Sequence, residues 1–453
     1  MRIEVAGAGA GKTSSMASRI LAEKIPDGKI VFCVAFTNAA VRHIKSKLVK
    51  MNGLIPPKIR VSTIHSFLNT EIVQPYYHLL FGKRFSGIST VELPDDYKVR
   101  NARTNELERN GLLHQTKIPE KAKWVVDKKS KENAQAKGMR RRVIPLFQSY
   151  CHMFIVDEAQ DIDQDVMGVL YALDRSGIPI ELYGDPKQDI RGRCCFRQLI
   201  SAFPDNVTYR RDCHRCPEQH LRLSNRLAPA GEQQSADEKT CVGSIRVFFE
   251  SDSADGITQL IEREEYGLVY ISKKNDRFDT HGNSWKGGCF ESLRYELESG
   301  IREKYADELS DLDAKRNAYY VATQAASLLD SGHSTREVAN LCVKSGAVDY
   351  DKRRYARIAN ALTHIAPSHS TGINVKSIEA VKGLEHDKCL FILTADLAPY
   401  LMGDKTEDNK MKHLLYVALT RSLNDLSILV TQEVEHRYSR NQIMSAINTS
   451  IDR

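Results

Sequence analysis

The 453-residue chain reads as an α/β protein with two parallel sheets, each carrying a helical insertion. Three observations predict this. Short apolar runs alternate with amphipathic stretches, as in strand–helix–strand units whose strands lie parallel. The alternation is run through twice, once up to about residue 203 and again from 204. Two polar segments of helical character, 68–142 and 275–370, interrupt the two passes. The predicted organisation is therefore 1–67 plus 143–203 as a first sheet domain and 68–142 as its insertion. A second sheet domain takes 204–274 plus 371–453, with 275–370 as its insertion.

Composition narrows the classes open to such a chain. Hydrophobic residues make up 42%, enough for a sizeable core. No apolar run approaches the length of a membrane span. The N-terminal residues are occupied by a glycine-rich loop, so no secretory signal is expected there. Ten cysteines are scattered without a disulfide framework, which predicts a reducing, cytosolic setting. Cys194, Cys195, Cys213 and Cys216 form two pairs that could hold zinc. The first pair is adjacent, a poor spacing for a tetrahedral site, and plain buried thiols are the favoured reading. The net charge of +7 is concentrated. Residues 117–142 carry ten Lys/Arg against three Asp/Glu and end in Arg140, Arg141 and Arg142. That run is either a solvated helix face or a surface for nucleic-acid phosphates, and the near-neutral remainder of the chain favours the second.

The first pass opens with Arg2–Val5 as a strand. Ala6, Gly7, Ala8, Gly9, Ala10, Gly11, Lys12 and Thr13 follow as AGAGAGKT, a phosphate-binding loop. Small residues let successive N–H groups face one concavity suited to anionic oxygens. Lys12 would reach the β- and γ-phosphates and the Thr13 hydroxyl would ligate Mg²⁺. Helical spacing of Met16, Ile20 and Leu21 comes next. Residues 29–36 form a buried-strand run, after which Thr37 and Asn38 cap a helix. Residues 59–62 are a third strand running into Thr63 and His65. HMFIVDEAQD is an apolar strand that delivers Asp157 and Glu158 side by side, one for the Mg²⁺ shell and one to take a proton from attacking water. Residues 180–183 lead into GDPKQDIRGR, placing Gln188 at the same sheet edge, where an amide can sense a γ-phosphate.

The second pass runs through VTYRRDCHRCPEQ into a helix, then strand-like segments at 245–250, 267–272, 373–378, 389–393 and 426–430. Within its insertion, Ser334 and Glu337 have capping-box spacing. Arg215 and Arg421 each stand at an element edge. Arginines so placed can stabilise charge on a transferring phosphoryl group and couple hydrolysis to domain closure.

Taken together these segments resemble a superfamily 1A helicase of the UvrD/Rep/PcrA type, which implies two RecA-like domains of the P-loop NTPase kind. AGAGAGKT resembles motif I, VAFTNAAVRHI motif Ia and VSTIHSF motif Ic. FIVDEAQD resembles motif II, YGDPKQDI motif III, HRCPEQ motif IV, SIEAVKGLEHD motif V and LLYVALTRS motif VI, all in family order. The resemblance implies an ATP site of Lys12, Thr13, Asp157, Glu158, Gln188, Arg215 and Arg421. To these it adds His214 on the base, and Gly383 and Glu385 near the ribose. It implies a single-strand track along Phe36, Thr37, Asn38, Thr63, His65 and Arg191, with 3′-to-5′ movement on DNA. The chain's length and the segments after motifs Ic and VI are most similar to the small UvrD-like subunit family of the Gabija anti-phage system, the GajB family. That implies a partner, an OLD-family nuclease with ATPase and Toprim domains.

Four departures from the helicase pattern stand out. No glutamine-bearing segment precedes the loop, so loose base selectivity is expected, with GTP or dATP used nearly as well as ATP. His214 replaces a tyrosine. The motif III segment passes straight to Arg191 without its aromatic pair, a base-stacking platform worth roughly 1–3 kcal/mol per base, although Phe196 could substitute. Asn409 and Lys410 stand where acidic residues usually precede motif VI. Two functions are therefore weighed. One is an ATP-driven DNA translocase and helicase. The other is a DNA-gated NTPase that licenses a partner nuclease and unwinds little. A P-loop kinase or transporter ATPase would leave motifs Ia, V and VI unexplained.

Overall fold

The structure, a computed structural model, describes residues 1–127, 132–238, 240–252, 256–280, 288–306, 308–366 and 373–448. Lys128, Lys129 and Lys131 of the basic run lie outside the described residues, as do 281–287 and 367–370 of the second predicted insertion.

The first sheet has six strands, β1 (Arg2–Ala6), β2 (Ile30–Ala35), β3 (Ile59–Thr63), β4 (Cys151–Val156), β5 (Ile180–Gly184) and β6 (Val207–Arg210), in the order β3-β2-β4-β5-β1-β6. Every pairing is parallel. The central strands are largely apolar, because helices cover both faces of a parallel sheet, with Glu4 and Glu181 as buried exceptions. Ile3, Phe32, Ile155 and Leu182 are all buried. The second sheet has β7 (Ser244–Phe249), β8 (Leu268–Ile271), β9 (Lys376–Ser377), β10 (His386–Leu393) and β11 (Ser422–Val430), in the order β7-β11-β10-β8-β9, again parallel. Tyr270, Phe391, Leu415, Tyr416 and Ile428 fill its core. Both sheets are RecA-like in this sense, and the α/β class read from the sequence is the observed one.

Several boundaries differ from the sequence reading. Residues 207–210, read as opening the second half, instead pair with β1 and complete the first sheet. A four-residue alternating strand does not announce which sheet it will join. β10 and β11 extend three and four residues upstream of the predicted 389 and 426, since those upstream residues are mostly polar and do not read as buried strand.

The chain divides into two compact units. Both sheets belong to the unit formed by 1–83, 118–280 and 372–453. The other comprises 84–117 and 281–371. In this second unit Gly87–Ser89 pairs with Leu112–His114. Helices Gly288–Lys304, Asp311–Asp330, Thr335–Lys344 and Lys352–Ile365 pack through Leu293, Leu297, Ala318, Ala322 and Leu362. The Ser334–Glu337 capping box is formed, with both reciprocal bonds present. Residues 84–117 join this unit through an ion pair of Arg103 with Glu296 and another of Arg357 with Glu106 at 3.1 Å.

The basic helix Ala134–Tyr150 belongs to the sheet unit. Phe147 inserts among Phe32, Phe67 and Tyr150, with ring centroids 5.9, 5.9 and 5.3 Å away. Phe147→Ala is expected to cost about 3–5 kcal/mol, the range for emptying a buried aromatic site. Denaturant unfolding checks this. A loss under 1 kcal/mol would mean that the basic helix is not anchored there.

Candidate functional site

β1, β4 and β5 are neighbours, so the loops at their C-terminal ends open onto one crevice, the usual place for a ligand in such sheets. After β1, Gly9 and Gly11 adopt φ of 71° and 72°, a left-handed conformation that glycine takes without a Cβ penalty. The chain turns there and starts the helix Lys12–Leu21. Lys12 Nζ donates to the carbonyls of Ala6 at 2.9 Å and Gly7 at 3.2 Å. The Thr13 hydroxyl donates to Asp157 Oδ2 at 3.3 Å. Loop and first carboxylate are thus joined across the crevice.

Asp157 is buried. Burial, and then the adjacent Glu158 charge, push its carboxyl up to about 7. Burial also works against ionised Glu158, but Lys12, Lys382 and the Gln160 amide outweigh it and hold that carboxyl below its usual range. The negative charge therefore resides first on Glu158. A buried carboxylate beside a hydroxyl, with its ionisation opposed by a neighbouring anion, suits a divalent cation that would relieve the repulsion. Thr13 and Asp157 are the residues that would hold Mg²⁺. Among the described residues no group of three or more His, Cys, Asp or Glu side chains is arranged to hold a metal ion by itself. Cys194 is exposed, while Cys213 and Cys216 are buried beside Ala8 of the loop.

Glu158 has φ 57°, an uncommon conformation for a residue with a side chain. Its backbone N–H donates to Asp157 Oδ1 at 2.9 Å, and the Gln160 amide donates to its carboxylate. The other end of that amide accepts from Asp185 N–H at 3.0 Å, tying the β4 and β5 loops together. Gln188 Nε2 donates to Asp185 Oδ2 at 2.9 Å. Lys187 is buried against Asp185 at 3.0 Å and Glu232 at 3.7 Å.

The second half of the chain reaches the same crevice. Arg215 pairs with Glu385, Nη1 to Oε2 at 2.5 Å, so two residues predicted for separate roles are brought together. Arg421 is 2% exposed and donates to Val417 O at 3.0 Å, to the Thr420 hydroxyl at 3.0 Å and to Leu384 O at 3.4 Å. Burial, and then the nearby Arg215 cation, lower its pKa. His214 Nδ1 bonds Asp237 Oδ2 at 2.7 Å, and a Cβ on Gly11 would lie 3.8 Å from its ring. His214 thus stands over the loop. Gly383 is exposed in a left-handed turn with φ 84° and borders Glu385.

Tyr416 and Gln234, which the sequence does not single out, hold the loop from the far side together with Cys213. The Ala8 N–H donates to the Tyr416 hydroxyl at 3.4 Å. The Ala8 carbonyl accepts from Gln234 Nε2 at 3.1 Å and from the Cys213 thiol at 3.1 Å. The Tyr416 hydroxyl donates to Gln234 Oε1 at 3.1 Å. Lys382 donates to both Asp161 oxygens at 2.8 Å. Asp161 and Lys382 lie inside DEAQD and VKGLE, so the motifs themselves were the available signal. Gln234 has none, because it stands in an irregular segment.

The predicted DNA-track residues lie along the same sheet edge, at the ends of β2 and β3. Phe36 is half-buried, Asn38 exposed, and Thr37 caps its helix by accepting from Ala40 N–H at 3.1 Å. Thr63 caps the next helix, accepting from Ser66 N–H at 3.2 Å. His65 lies close enough to Arg191 and Arg193 for their charges to act on it; burial first, helped by these two cations, outweighs the opposing Asp163 charge and lowers its pKa. Arg191 is exposed. Of the basic trio, Arg140 is spent internally, on the Glu132 carboxylate and the carbonyls of Trp124 and Val125. Arg141 and Arg142 face solvent. Phe196 is buried against Gly184 and presents no ring for base stacking. Asn409 caps the helix Lys410–Leu419 by accepting from Met411 N–H at 2.9 Å and Lys412 N–H at 3.2 Å.

The crevice defines a phosphate-loop nucleotide site on a parallel α/β sheet. Residues 2–192 match the family model described as an AAA domain. No curated protein matches the chain. Among solved structures it is similar to the arterivirus nonstructural protein 10 helicase in complex with DNA, at 11% identity and a TM-score of 0.38. That likeness covers 98% of this chain and 63% of the viral one, so the chain spans less than two thirds of the viral protein's length. Among the described residues no helix is long and apolar enough to cross a membrane.

A Cβ on Gly9 would lie 2.7 Å from Arg215 Cβ and 2.8 Å from Cys213 Sγ, at a φ that disfavours side chains. Gly9→Ala is expected to strain the loop by about 1–3 kcal/mol and to weaken nucleotide binding roughly ten- to hundredfold. Titration with a fluorescent nucleotide measures this; unchanged affinity in a folded variant would remove the loop from the site.

Proposed function

We propose that the chain is a nucleic-acid-dependent NTP hydrolase, an ATP-driven DNA translocase of helicase type. The observation that carries the reading is the joining of Lys12, Thr13, Asp157 and Glu158 in one crevice that also receives Arg215 and Arg421 from the second half. In this reading the loop N–H groups and Lys12 bind the β- and γ-phosphates. Glu158, held ionised, accepts the proton of the attacking water. Gln188 stands at the γ-phosphate edge. Mg²⁺ on Thr13 and Asp157 would supply charge neutralisation for the phosphates. Nucleotide entry would separate the Arg215–Glu385 pair, freeing the guanidinium for the γ-phosphate and the carboxylate for the ribose. One ion pair is exchanged for two ligand contacts, which gives the second half a means of registering the nucleotide.

DNA would run along Phe36, Asn38, His65 and Arg191, with Arg141 and Arg142 adding phosphate contacts. The finer reading rests on the order of the motifs and, for the Gabija kinship, on the segments after motifs Ic and VI. It is a UvrD-like translocase of the Gabija kind, moving 3′ to 5′, using ATP and also GTP or dNTPs, and assembled with an OLD-family nuclease. Burial of Phe196 favours a second reading, a DNA-gated NTPase that licenses that nuclease while unwinding little.

Lys12→Ala is expected to reduce DNA-stimulated hydrolysis to background; retained turnover would refute the site. Hydrolysis and strand displacement on single-stranded, blunt and 3′-tailed DNA separate the two readings, since the gated NTPase hydrolyses without displacing a strand. A pull-down with the nuclease tests the partner. Arg141→Glu with Arg142→Glu should weaken DNA binding and flatten the slope of log affinity against log salt by about 2. An unchanged slope returns that helix to a solvated face.

A further inference from the structure

Cys213 and Cys216 flank His214 and Arg215 in the sequence Cys-His-Arg-Cys. The segment runs from the end of β6 in the first sheet toward the helix Glu218–Asn225 and the second half. Both side chains are fully buried, and both sulfurs converge on one carbonyl, Ala8 O, at 3.1 and 4.0 Å. The Cys216 N–H donates to Cys213 Sγ at 3.3 Å, and the Cys216 thiol also lies 3.9 Å from Thr420 O. Dithiols at this spacing can close a disulfide without long-range rearrangement.

The electrostatics divide the pair: the bond to Cys216, and then burial, push the Cys213 thiol up, as burial does for the other buried cysteines, while Cys216 is moved the other way. The bond from Cys213, followed by the Arg215 and Arg421 cations, overcomes burial and lowers the Cys216 thiol to about 6. Cys33 and Cys342, buried without such cations, are pushed up. A thiolate is the form that reacts with oxidants and disulfides.

We infer that Cys213 and Cys216 form a reversible dithiol–disulfide site that switches the crevice off when oxidised by a hydroperoxide. The Cys216 thiolate attacks the distal peroxide oxygen. An S–O bond forms, the O–O bond breaks, and the alcohol leaves after taking a proton. The Cys213 sulfur then attacks Cys216 Sγ. An S–S bond forms, the S–O bond breaks, and hydroxide leaves as water with the Cys213 proton. Two electrons pass from the two sulfurs to the peroxide. The disulfide removes the anion that faces Arg215 and Arg421, withdraws the Cys213 thiol from Ala8 O, and closes a small ring around Arg215. The expected loss of hydrolysis rests on the function proposed above; formation of the bond does not.

The test uses the full chain with exposed Cys194 and Cys241 replaced by serine, treated with tert-butyl hydroperoxide. Non-reducing peptide mapping should find Cys213 linked to Cys216 with loss of two hydrogens. DNA-stimulated hydrolysis should fall roughly fivefold or more and return with dithiothreitol. Cys216→Ser should abolish both the link and the oxidant sensitivity, read as the ratio of oxidised to reduced turnover. Should that variant misfold, thiol trapping of the parent chain across glutathione buffers gives the same answer by mass. Absence of the link while circular dichroism stays native overturns the inference. So does a link that leaves hydrolysis and fluorescent-nucleotide affinity unchanged. A reduced chain that hydrolyses nothing defeats the proposed function, while the link and its effect on nucleotide affinity still decide this inference.

Discussion

A buried peptide group must find hydrogen-bond partners, and in this protein the peptide that imposes the most is Ala8. It lies in the middle of the phosphate loop, where the backbone has left the sheet and not yet entered the helix. No regular ladder serves it there. Its N–H is taken by Tyr416 and its carbonyl by Gln234 and Cys213, groups from 205 to 408 residues away in sequence. An unpaired buried amide costs as much as a lost hydrogen bond. The loop's conformation is therefore inseparable from the placing of the second half against it. The same residues that make the loop small and close-packed let those partners approach, since a Cβ on Gly7 would sit on the Gln234 side chain.

Charge follows the same logic. Asp157, Glu158, Asp161 and Asp185 crowd a region largely shielded from water, where isolated anions are costly. Each is matched from a different direction: Asp157 by the Thr13 hydroxyl, Glu158 by Gln160 and Lys12, Asp161 by Lys382, and Asp185 by Lys187 and Gln188. The Lys382–Asp161 pair has side-chain exposures of only 15% and 12%. Removing either partner of such a pair leaves an uncompensated charge, so it couples the carboxylate loop to the VKGLE segment. An incoming polyphosphate would enter a network in which most cations already have an anion. On the function proposed above, binding would exchange partners at Arg215, while Lys12 gives up only backbone carbonyls.

The parallel α/β class, the phosphate loop and the carboxylate strand were legible in the sequence because each is a local pattern. Apolar runs of strand length, glycines before Lys-Thr, and adjacent acids after FIV can be read within ten residues. The Thr37 cap and the Ser334–Glu337 box were legible for the same reason. The fate of Val207–Arg210 was not, since its four residues carry no record of which edge they will occupy. The trio Arg140–Arg142 looks uniform in sequence. Only packing shows that the first arginine turns inward to Glu132 while the next two face solvent. Phe196 likewise reads as an available aromatic until Gly184 is found against it.

The sequence by itself determined which chemical groups stand at the ends of the strands, because strand termini follow from local hydrophobic periodicity and turn residues. Tertiary structure alone decided who answers them. Arg215 meets Glu385, Gln234 and Tyr416 close on Ala8, and Cys213 and Cys216 lie together on that same carbonyl. These pairings link positions hundreds of residues apart through the requirement that buried polar and charged groups be satisfied. That requirement acts only once the two sheets have brought their edges together.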